Sequence, residues 1–135
     1  MSDDSFFLDT NILVYAYSLD EPEKRKIAQR LMDSPNAVLS TQVLNEFIWV
    51  MNKKAGIGIP QIFEIVQSLI DTTRVQDTDT ELILDALDIS RETGYSHWDA
   101  LILAASIRCF CSVIYSEDLQ DGRKIGTCRI QNPFR

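Results

Sequence analysis

Short apolar runs of strand length alternate along this chain with longer segments of helical periodicity, and that alternation limits the folds open to it. The clearest helical stripe is Ile62, Ile65, Val66, Leu69 and Ile70, spaced i, i+3, i+4, i+7, i+8. Before it, "TQVLNEFIWVMNKKAG" sets Val43, Phe47, Val50 and Met51 on one side and ends at Gly56. "DEPEKRKIAQRLMDS" carries Ile27, Leu31 and Met32 on one face, with Pro22 near its first helical position. "DTELILDALDISRETG" is amphipathic, offers Asp85, Asp88, Arg91 and Glu92 to solvent, and closes on Gly94. "SHWDALILAASIRCF" is apolar nearly all round, which predicts a buried helix. Between these lie "FFLD", "NAVLS", "TTRVQD", "CSVIYS" and "CRIQNPF", the last stopped by Pro133. Strands alternating with helices predict an α/β fold around a mostly parallel sheet, joined by right-handed crossovers. With no repeat, low-complexity stretch or linker, residues 1–135 read as one domain. Such a length buries roughly 65–70% of its unfolded surface.

One residue sits awkwardly in this pattern. In "FFLDTNILVYA", Asp9 follows three apolar side chains and precedes the apolar run Ile12, Leu13, Val14. A carboxylate between two buried segments is costly to desolvate unless something pairs with it. Asp9-Thr10-Asn11 supplies N-cap chemistry for the helix that follows, which is one explanation. Another comes from topology. In open α/β sheets, ligands bind outside the carboxyl ends of the strands. Asp9 ends one expected strand and Asp118 follows another, which places both on the same edge.

Two more acids stand where polar residues are out of place. Glu46 lies on the shoulder of an apolar face, at i, i+3 and i, i+4 spacing from Val43 and Val50. Asp99 opens the apolar helix immediately before "ALILAA". Each has a purely structural reading: Glu46 as a solvated flank, Asp99 as the acid of a Ser96-x-x-Asp99 capping box, Asp118 as a loop acid beside Glu117 and Asp121. Their joint placement argues for a shared acidic site.

The bulk numbers narrow the alternatives. A net charge of −7 argues against a chain that grips nucleic acid by bulk positive charge, unless several acids hold a cation. No run of 18 apolar residues indicates a membrane span, and "MSDDSFF" lacks a signal-peptide pattern, so the cytoplasm is the expected address. Cys109, Cys111 and Cys128 cannot all pair, which fits reduced buried thiols in a reducing compartment. A zinc site from these three and His97 is the sharper alternative, but Cys-x-Cys is not the usual knuckle spacing. With His97 the only histidine, a two-histidine ribonuclease mechanism is excluded, and no Gly-x-Ser-x-Gly elbow supports a serine hydrolase.

"FFLDTNILVYA", "STQVLNEF", "SHWDALILAAS", "VIYSEDLQDG" and "IQNPF" resemble, in order and across nearly the whole chain, the motifs of PIN-domain proteins. They are most similar to the small bacterial ribonuclease toxins of the VapC type. The resemblance implies a three-layer α/β/α PIN-like domain with a central mostly parallel sheet. It implies RNA hydrolysis by an acidic cluster that binds Mg²⁺ or Mn²⁺, leaving 5′-phosphate and 3′-hydroxyl ends. Matched by motif, the catalytic and metal-binding acids fall on Asp9, Glu46, Asp99 and Asp118, with Glu117 or Asp121 able to share the role of Asp118. Thr10, Asn11, Ser40 and Ser116 are the small polar residues expected to orient ligands or a phosphate. Lys53, Lys54, Arg123 and Lys124 flank these elements as candidate RNA guides, or as solvated helix and loop ends. The implied partners are RNA, a small antitoxin protein and a second copy of the chain, with no membrane. Tyr15, Tyr17 and Trp49 are candidate aromatics for such a surface, or core packing.

Clustered acids also carry an expected signature: repulsion between like charges should raise one carboxylate pKa. Two other readings compete. "FFLDTN" superficially resembles the start of a haloacid-dehalogenase-like phosphatase, with Asn11 in place of that family's second acid. The other is a PIN-like RNA-binding or protein-interaction module without nuclease activity.

Overall fold

The computed structural model describes residues 4–135; the first three residues of the acidic N-terminal stretch lie outside it. The elements run β1 (Phe6–Leu8), α1 (Thr10–Ala16), α2 (Pro22–Met32), β2 (Ala37–Ser40), α3 (Thr41–Lys53), α4 (Ile59–Thr72) and β3 (Arg74–Gln76). They continue with α5 (Thr80–Thr93), α6 (His97–Arg108), β4 (Val113–Tyr115), β5 (Lys124–Ile125) and β6 (Cys128–Gln131).

The strands form one six-stranded sheet in the order β3-β2-β1-β4-β6-β5. Every pairing is parallel except β5 with β6. The chain steps outward from β1 to β2 to β3, then reverses and crosses to β4 on the other side of β1. Right-handed crossovers therefore place the outward connections, α1 to α4, on one face and the returning pair α5 and α6 on the opposite face. The helix contacts agree: α1 packs on α2 and α3, α3 on α4, and α5 on α6. The reversal makes the gap between β1 and β4 the switch point, where the loops after adjacent strands part and leave a crevice.

Local chemistry explains the boundaries. Pro22 takes the first position of α2, where a missing N–H costs nothing. Asp79 caps α5 by accepting from the Leu82 N–H (2.8 Å), and Gly94 ends that helix in the left-handed region (φ 81°). The expected buried helix is α6, whose residues Ala100–Ser106 are all buried. It ends in a Schellman motif, with Phe110 N–H donating to Ile107 O and Cys111 N–H to Ser106 O. Phe110 stands at φ 58°, where glycine is usual. The core between sheet and helices is built on Phe7, Leu8, Leu39, Phe47, Leu103 and Ile114, all fully buried.

Two expectations need amendment. The segment between Asp121 and the final strand contains a further strand, β5, which turns through Gly126 (φ 58°) into β6 as a short antiparallel hairpin. The α4 stripe is less buried than its periodicity implies: Ile62 and Leu69 are buried, whereas Ile70 is half exposed beside exposed Ile59 and Phe63. The contacts of α4 are mainly with α3, and a single helical neighbour cannot cover so wide a stripe. Among the described residues, no helix is long and apolar enough to cross a membrane. All three cysteines are buried free thiols, with burial raising each thiol pKa, Cys111 to about 12.

Candidate active site

The crevice at the switch point is a cleft of about 350 Å³, and Asp9, Glu46, Asp99 and Asp118 all line it. They come from four separate places: the residue after β1, the middle of α3, the first turn of α6 and the loop after β4. Asn11, Gln42, Trp49 and Trp98 complete much of the wall.

Asp9 is fixed by both neighbouring strands. Its backbone N–H donates to Tyr115 O (3.1 Å), which ties the end of β1 to the end of β4. Its side chain begins α1, but in an unusual way, with Oδ1 accepting from the very next N–H, that of Thr10 (2.7 Å). Oδ2 accepts from Ser116 Oγ (2.8 Å). The direction of that bond is settled by the other contacts of Ser116, whose oxygen accepts from the N–H groups of Asp118 (3.2 Å) and Leu119 (3.1 Å). A hydroxyl with both lone pairs taken has only its proton left to give. Ser116 is fully buried, so it locks the Asp9 carboxylate to the loop that carries Asp118.

The remaining acids are each held or exposed. Thr10 Oγ1 donates to Glu46 Oε1 (2.7 Å), and the Asn11 amide donates to Asp118 Oδ2 (2.5 Å). The same short helix therefore orients both carboxylates from two consecutive residues. Asp99 occupies the position expected of a capping box, and its N–H donates to Ser96 Oγ (3.2 Å). The reciprocal bond, from the Ser96 N–H to the Asp99 carboxylate, is absent among the described residues, so the side chain remains available to the cleft it lines.

Electrostatics single out Asp9. Its pKa is raised from 3.8 to about 6, first because burial strips water from the charged form. The bonds from Ser116 and Thr10 oppose that rise, while repulsion from Asp118 and Glu46 adds to it. A raised carboxylate is thus present as expected, but its main cause is burial rather than like-charge repulsion. None of the four acids forms an ion pair among the described residues.

Glu117 and Asp121 are occupied elsewhere. Glu117 accepts from Lys24 Nζ (2.6 Å) and from Tyr15 Oη (2.6 Å), and Tyr15 packs edge-on against Phe134 (5.2 Å). Asp121 Oδ1 accepts from the Asn132 N–H (2.8 Å) and Oδ2 lies 3.6 Å from the Arg135 guanidinium. Glu117 thus ties the loop after β4 to α1 and α2, Asp121 ties it to the chain after β6, and only Asp118 of the three faces the cleft. Ser40 is a buried cap of α3, accepting from the Val43 N–H (3.3 Å), and it lies outside the cleft lining. It positions Glu46 through the helix it starts. Lys53, Lys54, Arg123 and Lys124 are also outside the lining. Lys54 stands over the Trp49 ring (5.7 Å) and Arg123 over the Tyr95 ring (4.9 Å). Of the candidate surface aromatics, Tyr15 and Tyr17 are engaged with Glu117 and Phe47, and Trp49 is exposed at the cleft. Trp98 and Gln42 were not singled out by sequence, although Gln42, Glu46 and Trp49 share a face by i, i+4, i+7 spacing.

The donor set suits a hard cation. The cleft offers carboxylate oxygens without cysteine or histidine, and Asp9 is a buried carboxylate that no ion pair among the described residues neutralises. Among the described residues, no three such side chains converge tightly enough to form a metal cage. Mg²⁺ tolerates that, because it keeps several waters and commonly takes only one or two carboxylates with substrate phosphates.

Comparison with solved structures finds the same fold. VapC20 of Mycobacterium tuberculosis, described as a sarcin–ricin-loop-cleaving toxin, aligns with TM-score 0.68 and 22% identity over 84% of this chain and 90% of its own. A toxin–antitoxin complex from Klebsiella pneumoniae aligns with TM-score 0.70 and 21% identity over 96% of this chain and 98% of that one. DNA-bound VapBC from Salmonella typhimurium gives TM-score 0.70 and 19% identity at the same coverages, 96% and 98%. No curated protein matches the chain. The family model described as the PIN domain matches residues 6–121, which span both strands of the switch point and all four acids, and the chain belongs to the PIN-domain family.

Proposed function

We propose that this chain is a metal-dependent endoribonuclease that hydrolyses RNA phosphodiester bonds at the cleft between β1 and β4. The observation that carries the reading is the buried Asp9 carboxylate, without an ion-pair partner among the described residues, in a cleft shared with Glu46, Asp99 and Asp118. Asp9 and Asp118 would hold Mg²⁺ or Mn²⁺, with Asp99 and Glu46 facing it directly or through water. The bound ion supplies charge neutralisation at the phosphate and eases deprotonation of an attacking water. Thr10 and Asn11 keep Glu46 and Asp118 aimed into the cleft, and Ser116 holds Asp9 in one orientation. Water attacks the phosphorus in line with the P–O3′ bond; the 3′ oxygen leaves and is protonated to a 3′-hydroxyl, and the phosphate stays on the 5′ end.

The toxin–antitoxin neighbours support an antitoxin partner. The proposal further has the chain act as a toxin in the cytoplasm and pair with a second copy of itself. The absence of a preformed cage among the described residues favours one rival, a binding module of the same fold that no longer cleaves. Labelled structured RNAs incubated with Mg²⁺, Mn²⁺ or EDTA, beside the Asp9→Asn variant, separate the two. Metal-dependent cuts lost in the variant are expected. Intact RNA under every condition, with the fold retained, selects the binding module, and cuts that survive EDTA and Asp9→Asn overturn the metal site.

A further inference from the structure

Two large aromatic side chains border the acidic cleft, and the proposed chemistry uses neither. Trp49 is 56% exposed and Trp98 65% exposed, and both line the cleft with the four acids. An exposed tryptophan leaves a large apolar face in water, and two beside one cavity are a costly arrangement unless something covers them. Each is built next to an acid. Trp49 lies three residues after Glu46 on α3, and Trp98 immediately precedes Asp99 on α6. Trp98 is also held in place, since Gln42 Nε2 donates to its carbonyl (3.0 Å) and the His97 ring packs edge-on against its indole (5.8 Å).

Charge decides what covers them. Among the described residues, no lysine, arginine or histidine lines the cleft, and the chain carries −7 overall. No basic side chain of the cleft can grip a polyanion's phosphates there, as lysine and arginine commonly do in nucleic-acid-binding proteins. Base stacking on aromatic faces is the other main source of affinity for single strands, and it needs no positive charge. Lys54, outside the cleft lining, stands with its ammonium 5.7 Å from the Trp49 centroid.

We infer that Trp49 and Trp98 are stacking platforms that take unpaired bases on either side of the cleft and so position a single-stranded segment across the acids. This rests on the ribonuclease reading for its substrate, RNA, and adds the residues that select its form. The platforms belong to different helices, so bases reaching both must be splayed apart. A duplex keeps its bases stacked on one another and offers neither platform a free face.

The test uses the full chain carrying Asp9→Asn, in Mg²⁺, titrated with an eight-nucleotide oligouridylate and with an RNA duplex of equal length. Intrinsic tryptophan fluorescence should fall with the single strand and not with the duplex. Trp49→Ala and Trp98→Ala should each weaken binding about tenfold, with melting temperature unchanged, whereas Trp49→Phe and Trp98→Phe should restore most of it. In the cleaving chain the same alanine variants should raise KM and leave kcat nearly unaltered. Unchanged affinity in both alanine variants overturns the inference, as does equal quenching by duplex. Intact RNA affinity with lost self-association assigns the two rings to a protein contact instead and also overturns it. Metal-dependent cleavage indifferent to both tryptophans leaves the nuclease and removes the platforms. Stacking without cleavage does the reverse.

Discussion

Asp9 makes the stability of this protein depend on pH in an unusual direction. Most folded carboxylates are stabilised as anions, so acid weakens the fold. Asp9 has the opposite balance, with a pKa raised from 3.8 to about 6 by burial and then by Asp118 and Glu46. The folded state therefore binds its proton more tightly than the unfolded chain. The stabilisation linked to that proton is fully present below the unfolded value and is lost as pH rises through about 6. A shift of that size corresponds to about 3 kcal/mol between the fully protonated and fully ionised limits. Between about pH 7 and pH 5, where few other groups change, the linkage integral gives a gain of about 1 kcal/mol on acidification. The assay is urea denaturation of the chain in EDTA at several values across that interval. Asp9→Asn supplies the control, because its offset in absolute stability is irrelevant and only its slope with pH matters. The wild type should gain stability towards pH 5 and the variant should not. Parallel profiles for the two proteins would refute the argument that the charge of Asp9 is uncompensated. Saturating Mg²⁺ should flatten or reverse the wild-type slope, because a cation beside the carboxylate favours its charged form.

Other outcomes follow from contacts around the cleft and away from it. Ser116→Ala strands the N–H groups of Asp118 and Leu119 and one oxygen of Asp9, so a loss of about 1–3 kcal/mol is expected from denaturant titration near neutral pH. Phe110→Gly relieves a left-handed backbone at the end of α6 and should raise stability by up to about 1 kcal/mol in the same titration. Cys109, Cys111 and Cys128 are buried with raised thiol pKa values, so iodoacetamide at mildly alkaline pH should modify none in the native chain and all three in urea, scored by mass. Glu117→Gln should lower the melting temperature by loosening the contact with Lys24, yet keep the shift caused by Mg²⁺. Asp118→Asn should show the converse in the same pair of melts, and a lost Mg²⁺ shift in Glu117→Gln would return that residue to the site.

The alternation of strand and helix was legible because it rests on apolar spacing, which is local. So were Pro22, Gly94 and the burial of α6, whose sequence is apolar on every side. β5 was not legible, because two residues, Lys124 and Ile125, have no periodicity to read and pair only through the hairpin at Gly126. Within the site, Asp9, Glu46, Asp99 and Asp118 could be named because each is polar where the local pattern expects otherwise or stands at a strand end. What sequence could not supply is which partner each one meets. Ser116 reaches Asp9, and Asn11 reaches Asp118, across separations of 107 residues. Ser40 looked equivalent to Ser116 as a small polar residue at a strand end, yet it caps α3, and only the fold distinguishes the two.

That difference in partners also changes how the acids should be compared. Asp118 is exposed and takes the Asn11 amide, Glu46 takes the Thr10 hydroxyl, and Asp99 is half-buried at a helix start, so water or a neighbour already serves each charge. Asp9 alone is 7% exposed, and its two bonds fall short of replacing lost hydration, as its raised pKa shows. The four carboxylates are therefore unequal, although the sequence presents them as one cluster. A cation entering the cleft gains most from Asp9, whose ionised form has the least to lose, and the other three add charge at smaller cost. Neutralising Asp9 should consequently weaken both cation binding and the pH response. Neutralising Asp118 should weaken cation binding and leave most of the pH response, since Asp118 is only a secondary cause of the Asp9 shift. If the two variants flattened the pH profile equally, repulsion rather than burial would govern the site.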